Sequence, residues 1–194
     1  MFHRRVSTCP DRLTVDILGY KGRTHSTAAM RWGKDNEASV RIAYVKLKKA
    51  RGVSVTVRDS GLHICLTASY LAASSDGIVT ERLENTTDIG CLEIQCPVSV
   101  DKVSVTNLTP EEIAERHPKK FCLHQNAHGQ LCLPKSHHYY AQVQGELAIL
   151  GLRWCDFVVY TPAGKNIERI NFDQSYWDDE LFPSLSSFFR SHVY

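Results

Sequence analysis

Residues 91–97 read Cys91-Leu92-Glu93-Ile94-Gln95-Cys96-Pro97. Their alternation predicts a β-strand that turns the apolar side chains of Leu92 and Ile94 toward one face and the polar side chains of Glu93 and Gln95 toward the other. The apolar face belongs to the hydrophobic core. The polar face offers a carboxylate and a hydrogen-bonding side chain, which suits a site for a metal ion and water. The same pattern also fits an ordinary half-exposed strand, so this stretch alone leaves both interpretations open.

The composition is that of a globular domain of ordinary size. Of the 194 residues, 43% are hydrophobic and 23% are charged, which excludes a disordered, collagen-like or coiled-coil protein. Lysine and arginine number 23 against 21 aspartates and glutamates, so the net charge of +2 provides no broad positive field. Any nucleic-acid-binding surface must therefore be local.

Neither a membrane span nor a secretory signal is predicted. No stretch approaches the roughly 18 apolar residues of a membrane helix, and charged residues interrupt positions 1–30, where a signal peptide needs an apolar run. We therefore expect an intracellular protein with no membrane partner, with nucleus and cytoplasm both open. The seven cysteines are odd in number and mostly interleaved with aliphatic residues, which favours free thiols over disulfides.

Hydrophobic patterning predicts an α/β fold. After an irregular segment at residues 1–27, an apolar stripe around Val40 and Tyr44 predicts a helix from about Ala28 to Gly52. A hairpin of strands 53–57 and 62–66 is predicted next. Later elements are predicted as strands at 78–79 and 91–96, a short helix after Thr109, a hairpin around 126–129, a helix at 137–150, a hairpin of 154–160 with 167–172, and a helix at 178–190. This order predicts a mixed central β-sheet flanked by helices.

Two further carboxylates are candidates to join Glu93. Asp76 lies in the small-residue turn Ser74-Ser75-Asp76-Gly77, where no bulky neighbour prevents its approach to a strand end, although turn geometry alone also selects Asp-Gly. Glu37 falls on the apolar stripe of the predicted helix, where a carboxylate needs a cation or another partner. The alternative is that Glu37 lies at the edge of the stripe and pairs with Arg41.

Five segments of the chain together resemble a known family. They read Trp32-Gly33-Lys34-Asp35-Asn36-Glu37, Leu71-Ala72-Ala73-Ser74-Ser75-Asp76-Gly77-Ile78-Val79, Leu92-Glu93-Ile94-Gln95-Cys96-Pro97, Tyr139-Tyr140-Ala141-Gln142-Val143-Gln144-Gly145 and Trp154-Cys155-Asp156-Phe157-Val158-Val159-Tyr160-Thr161. In order and spacing they resemble the signatures of the YqaJ-like viral recombinases, relatives of phage lambda exonuclease in the PD-(D/E)XK nuclease superfamily. The resemblance runs from about residue 28 to the C-terminus, and several motifs in order are more specific than any one.

The resemblance implies a restriction-endonuclease-like PD-(D/E)XK core over residues 28–194. It also implies a nuclease that acts on the ends of linear duplex DNA, generally degrading one strand from its 5′ end, with Mg²⁺ or Mn²⁺ as cofactor. DNA is then the principal partner. A homo-oligomer and a single-strand annealing protein are further partners that the resemblance leaves open.

The resemblance also assigns roles by position. Asp76 and Glu93 become the metal carboxylates, the Ile94 carbonyl a backbone ligand, and Glu37 a ligand of a second metal or its waters. Such hard oxygen ligands suit Mg²⁺ or Mn²⁺, which lower the pKa of a bound water and polarise a phosphate. Two positions match family residues that hold DNA phosphate: Ser74 and Gln142.

The main departure from the family is Gln95, which stands where lysine is usual. A neutral amide orients a water but cannot stabilise charge as lysine does. Losing one well-placed donor costs about 100- to 1,000-fold in rate, which predicts slow catalysis if the metals still bind. The catalytic set is then Glu37, Asp76, Glu93 and Gln95. The alternative is a catalytically weakened or inactive DNA-binding or recombination-accessory module on the same fold.

A second departure lies at the N-terminus. Residues 5–9 only faintly resemble a family segment, and Phe2 stands where an arginine for the terminal 5′ phosphate is expected. The family's N-terminal segment is therefore expected to be incomplete. Either Arg4 or Arg5 substitutes as the phosphate-binding residue, or selectivity for a 5′-phosphorylated end is weakened. The alternative is that both arginines are solvated tail residues.

A zinc site is an alternative for the seven histidines and cysteines between residues 117 and 138. They are His117, Cys122, His124, His128, Cys132, His137 and His138. Zinc modules favour Cys-x2-Cys pairs, whereas Cys122 and Cys132 alternate with apolar residues as strand residues do. The spacing is therefore unfavourable for zinc.

Overall fold

A computed structural model describes residues 26–84, 86–100 and 102–193. The helices are α1 (Ala28–Ala50), α2 (Pro110–Arg116), α3 (His138–Leu150), α4 (Gln174–Tyr176) and α5 (Phe182–His192), with a π-helical turn at Trp177–Leu181. The strands are β1 (Ser54–Arg58), β2 (His63–Ile64), β3 (Ala72–Ala73), β4 (Gly77–Leu83), β5 (Thr86–Gln95), β6 (Ser99–Val100), β7 (Val103–Ser104), β8 (His124–Gln125), β9 (Leu131–Cys132), β10 (Trp154–Thr161) and β11 (Gly164–Asn171). Within these ranges no helix is both long and apolar enough to cross a membrane.

Contacts group the described residues into two units. The larger unit is Ala28–Phe172, and the smaller contains the described residues 26–27 and 173–193. In the smaller unit, Asp173 caps α4 by accepting a hydrogen bond from the Tyr176 N–H at 3.1 Å. The division at residues 1–27 and 28–194 stays a prediction, and residues 1–25 lie outside the described ranges.

The larger unit is built on a five-stranded sheet with the order β1-β4-β5-β10-β11. The β5–β10 pair is parallel and the other three pairs are antiparallel. The mixed sheet predicted from the sequence is therefore confirmed. The predicted hairpin of the last two strands is present as β10 and β11, and the hairpin around residues 126–129 is present as β8 and β9.

One face of the sheet packs against α1. Its core is apolar and contains Val40, Tyr44, Val55, Val79, Leu92, Ile94, Trp154 and Val158. Leu92 and Ile94 both lie in this core, as the alternation of residues 91–97 predicts. The helix ends at Ala50, and Gly52 follows it with φ +79°, a left-handed conformation that glycine adopts without strain.

The same face buries two carboxylates that the chain itself neutralises. Lys48 Nζ lies 2.8 Å from both Glu81 Oε1 and Asp156 Oδ2. Arg169 binds the same two residues, with its Nε 2.7 Å from Asp156 Oδ1 and its Nη2 2.7 Å from Glu81 Oε1. Tyr44 completes the cluster by donating its hydroxyl to Asp156 Oδ2 at 2.7 Å. Burial alone would raise the pKa of Asp156, but the hydrogen bonds from Arg169 and Lys48 outweigh it and lower that pKa.

The opposite face carries Glu93 and packs against α3. Helix α3 buries Tyr140, Val143 and Leu147, and the Tyr139 ring lies 5.9 Å from the ring of Phe157 on β10. Gly151 ends the helix with φ 65°. The predicted helix at residues 137–150 is thus observed, with His137 as its N-cap.

The predicted hairpin of residues 53–57 with 62–66 is wrong. Strand β1 pairs with β4, where Val57 lies opposite Val79, and β2 pairs with β3. Pairing with β4 extends the central sheet and buries Val55 to 2% exposure, whereas Leu66 in the other predicted strand is fully exposed. Burial of alternate valines therefore outweighed the short turn in selecting the partner strand.

We expect Asp156→Asn to lower the free energy of unfolding by up to about 3–5 kcal/mol, because it leaves the two cations Lys48 and Arg169 with one buried carboxylate, Glu81, as their counter-charge. Urea denaturation at pH 7 measures the change. Arg153→Gln is the control, since it breaks only the exposed ion pair with Asp88 and should cost less than about 1 kcal/mol. Equal stabilities of the two variants would contradict the structural importance of the cluster.

Gly90→Ala should also destabilise the fold. A Cβ at position 90 would lie 2.3 Å from two atoms of the Trp154 indole, which is held by a hydrogen bond from its Nε1 to Asp88 and by the Arg169 guanidinium over its ring. Overpacking of this kind costs about 1–3 kcal/mol. Gly33→Ala is the matched control, because a Cβ there meets nothing within 4 Å and alanine favours the helix. In thermal unfolding, the melting temperature should fall for Gly90→Ala and rise for Gly33→Ala.

Candidate active site

The candidate site lies where β4 begins and β5 ends. Gly77 pairs with Leu92 across these antiparallel strands, so Asp76, one residue before β4, reaches the last residues of β5. Asp76 Oδ2 accepts a hydrogen bond from the Ile94 N–H at 2.7 Å. The small-residue turn therefore brings Asp76 beside the strand that carries Glu93.

Glu93 is buried under α3, with 4% of its surface exposed. Its Oε1 accepts two hydrogen bonds, from Gln95 Nε2 at 3.1 Å and from Gln142 Nε2 at 2.7 Å. Gln95 points to the same face because it lies two residues further along β5. The alternation of residues 91–97 thus places the side chains of Glu93 and Gln95 on the same side of the sheet, the side that faces α3.

Glu146 is a fourth carboxylate that sequence reasoning missed. Gln142 Nε2 also donates to Glu146 Oε1 at 3.1 Å, so one amide nitrogen bridges the carboxylates of Glu93 and Glu146. Only 4% of Glu146 is exposed, and its Oε2 is buried without a hydrogen-bond partner. The available signal was an acidic residue one helical turn after Gln142 and next to the apolar residues Val143 and Leu147.

The surroundings of these carboxylates disfavour their ionised forms. Burial, followed by the charges of Glu146 and Asp76, raises the pKa of Glu93 to about 10. Burial also raises the pKa of Asp76 to about 6 and that of Glu146 to about 7. In the described part of the chain, no lysine or arginine forms an ion pair with Glu93 or Glu146.

Glu37 lies near the site from the α1 side and has its own partner. Its Oε1 is 2.6 Å from Arg41 Nη2, and Arg41 also contacts Asp59. The pairing with Arg41, which the sequence left as one of two alternatives, is thus present. The charge of Glu37 nevertheless contributes to the raised pKa of Asp76, after burial, so the two carboxylates are close enough to interact.

The remaining predicted residues differ in what the structure shows. Ser74 is exposed beside Asp76, whereas the neighbouring Ser75 is buried and donates to the Gly77 carbonyl at 3.3 Å. Gln142, predicted to hold a DNA phosphate, directs its amide nitrogen at two carboxylates. Arg4 and Arg5 lie outside the described residues, so their predicted phosphate contact stays a prediction.

A cleft of about 500 Å³ borders Ile94 and Gln95. Its walls come from the first turns of α1 and from residues 94–100, 120–122 and 137–139. His137 lies in this wall as the N-cap of α3, where its ring accepts a hydrogen bond from the Tyr139 N–H. Burial and the neighbouring His138 and His124 lower the pKa of His137 to about 4, so that ring is neutral near pH 7. The cleft volume is within the range of small-molecule sites.

The donor set fits a hard divalent cation. Asp76, Glu93 and the Ile94 carbonyl offer oxygen ligands, and Mg²⁺ is typically held by one or two carboxylates while it keeps several waters. Among the residues that the structure describes, no three His, Cys, Asp or Glu side chains form a metal-binding group. Water must therefore supply part of any coordination shell here.

The same finding bears on the zinc alternative. Within the described ranges, the histidines and cysteines of residues 117–138 form no metal-binding group. Cys122 is buried, and burial raises the pKa of its thiol to about 12. The Cys132 thiol donates to the His124 carbonyl at 3.5 Å. Cys132 thus lies in strand β9 of the hairpin, as its alternation with apolar residues predicts, whereas Cys122 lies in a bend before β8.

Comparison with known proteins gives one family and two closely similar folds. The model of the YqaJ-like viral recombinase domain matches residues 4–153. The crystal structure of an alkaline exonuclease from Laribacter hongkongensis superimposes with a TM-score of 0.61 at 24% identity, over 95% of this chain and 77% of that one. The same exonuclease in complex with dAMP gives a TM-score of 0.64 at 23% identity, over 97% and 82%. No curated protein matches. The fold is therefore the PD-(D/E)XK type expected from the sequence, and the chain belongs to the YqaJ-like viral recombinase domain family.

Proposed function

We propose that this chain is a metal-dependent DNA exonuclease of the viral-recombinase type. It hydrolyses phosphodiester bonds at the ends of linear duplex DNA, in the 5′ to 3′ direction, with Mg²⁺ or Mn²⁺ as cofactor. The observation that carries the proposal is the accumulation of buried, uncompensated carboxylates beside the cleft at the end of β5.

The two faces of the sheet differ in how their buried carboxylates are neutralised. On the α1 face, Glu81 and Asp156 are neutralised by Lys48 and Arg169. On the α3 face, Glu93 has amide donors but no cationic side chain from the described residues. The fold thus supplies lysine and arginine to one buried pair of carboxylates, whereas its described residues supply neither to the other pair. This difference supports a binding site for a metal cation from solution beside Glu93.

The residues of the site have distinct tasks in the proposed reaction. Asp76, Glu93 and the Ile94 carbonyl would hold the cation, which lowers the pKa of a bound water and polarises the scissile phosphate. The Ile94 N–H fixes the Asp76 carboxylate, and the amides of Gln95 and Gln142 fix that of Glu93. Gln95 also lines the cleft, where its amide can orient a water or a phosphate oxygen.

The related structures support DNA as the substrate. Both come from a protein named as an alkaline exonuclease, and one of them is a complex with dAMP, a deoxynucleotide. The family of this chain is a recombinase family. Cleavage at a DNA end and a role in recombination agree with both names.

Gln95 favours a second candidate function. Because Gln95 is neutral and donates to Glu93, position 95 does not supply the cationic side chain that stabilises charge on a phosphate. A protein of this kind would bind DNA ends as a recombination-accessory module without cleaving them. We place the nuclease first because a binding module has no need for buried carboxylates that destabilise the fold.

The proposed function predicts metal-dependent degradation of linear duplex DNA. In Mg²⁺ or Mn²⁺, wild-type protein should shorten a duplex with a 5′ phosphate, and Glu93→Gln should be slower by at least about 100-fold because several kcal/mol of transition-state stabilisation are lost. Glu111→Gln, at an exposed position of α2, is the control. Binding without loss in both metals would favour the accessory module, and equal cleavage of closed circular DNA would contradict an exonuclease.

The second prediction concerns the missing charge. Gln95→Lys should raise the cleavage rate, by up to about 100-fold, since it restores a cation near the attacking water. Single-turnover rates on the same duplex measure it, with Gln130→Lys in the exposed hairpin as a charge-matched control. No gain would count against the proposed role of position 95, and cleavage by Gln95→Lys alone would identify the natural chain as a binding relative.

A further inference from the structure

We propose that Glu146 belongs to the cation site, where its Oε2 accepts a hydrogen bond from a water bound to the divalent cation. This inference rests on the proposed function and adds a residue to that site. Glu146 is in none of the five segments that resemble the family, and the resemblance assigns it no role. It is a positioning residue for the cation's water shell.

The first argument is the unused acceptor. Glu146 Oε2 is buried and no amide, hydroxyl or cationic donor in the described residues reaches it, while its Oε1 accepts from Gln142. The Glu93 carboxyl also interacts with Glu146, but it can donate a hydrogen bond only while it is protonated, and a metal ligand is ionised. A carboxylate oxygen withdrawn from water without a donor is strongly unfavourable. A metal-bound water is a strong donor, because the cation polarises its O–H bonds, and it would satisfy this oxygen.

The second argument is the shared contact. Gln142 has one amide nitrogen with two hydrogens, and that nitrogen lies 2.7 Å from Glu93 Oε1 and 3.1 Å from Glu146 Oε1. Glu146 is therefore linked to a proposed metal ligand through a single side chain. Outer residues of this type orient the ligands of a metal and commonly change its affinity by 10- to 100-fold.

The third argument concerns where Glu146 lies in α3. It is flanked along the buried face by Val143 and Leu147, which are both fully buried. Helix packing alone would be satisfied by an apolar or amide side chain at this position. The negative charge is the property that packing does not explain, and a nearby cation does.

The experiment measures metal binding rather than cleavage. Mn²⁺ is titrated into the full chain by calorimetry, and free Mn²⁺ is followed in parallel by electron paramagnetic resonance. Glu146→Gln keeps the size of the side chain and the acceptor for Gln142 but removes the charge. We expect its Kd for Mn²⁺ to rise by about tenfold or more.

Two controls separate the possible results. Glu168→Gln removes another partly buried carboxylate, one that accepts from the Leu133 N–H instead, and should leave the Kd unchanged. Glu93→Gln should abolish binding. If Glu93→Gln weakens binding and Glu146→Gln does not, the inference fails, the proposed cation site stands, and a proton shared with Glu93 neutralises Glu146. If wild type does not bind Mn²⁺, the inference and the metal-dependent function both fail.

Discussion

Neutralisation of buried carboxylates is the constraint on which the larger unit depends. Strands β5 and β10 lie inside the sheet with helices on both faces, so an acidic side chain on either face loses contact with water. Asp156, 1% exposed, takes its counter-charges from Lys48 on α1 and from Arg169 on β11. This cluster connects α1 to β4, β10 and β11. Within it, the positive charges of Lys48 and Arg169 balance the negative charges of Glu81 and Asp156.

The carboxylates on the α3 face are not neutralised in this way. Glu93 and Glu146 share the amide of Gln142 and have no cationic side chain from the described residues. Burial and the nearby carboxylates raise the pKa of both residues, because the hydrogen bonds from the amides of Gln95 and Gln142 offset the cost of ionisation only in part. A divalent cation in the proposed site would favour the ionised form of each carboxylate. The neutralised pair and the proposed cation site thus lie on opposite faces of the sheet.

Local patterning predicted much of the architecture. The alternation of residues 91–97 predicted that Leu92 and Ile94 face the core, and both lie there. The ends of α1 and α3 follow from Gly52 and Gly151, whose left-handed backbone is a local property of the chain. The partner of β1 could not be predicted in this way, because a period of two specifies a strand without specifying which distant strand it joins.

Motifs in the sequence were enough to predict a family site with Asp76, Glu93, Gln95 and Gln142 among its residues. Tertiary structure decided which of these touch. It placed Asp76 on the Ile94 N–H, gave Glu37 to Arg41, and added Glu146, which no motif indicated. The reason is physical: side-chain type and local period are written along the chain, whereas burial, hydrogen-bond partners and net local charge arise only when distant segments are packed together.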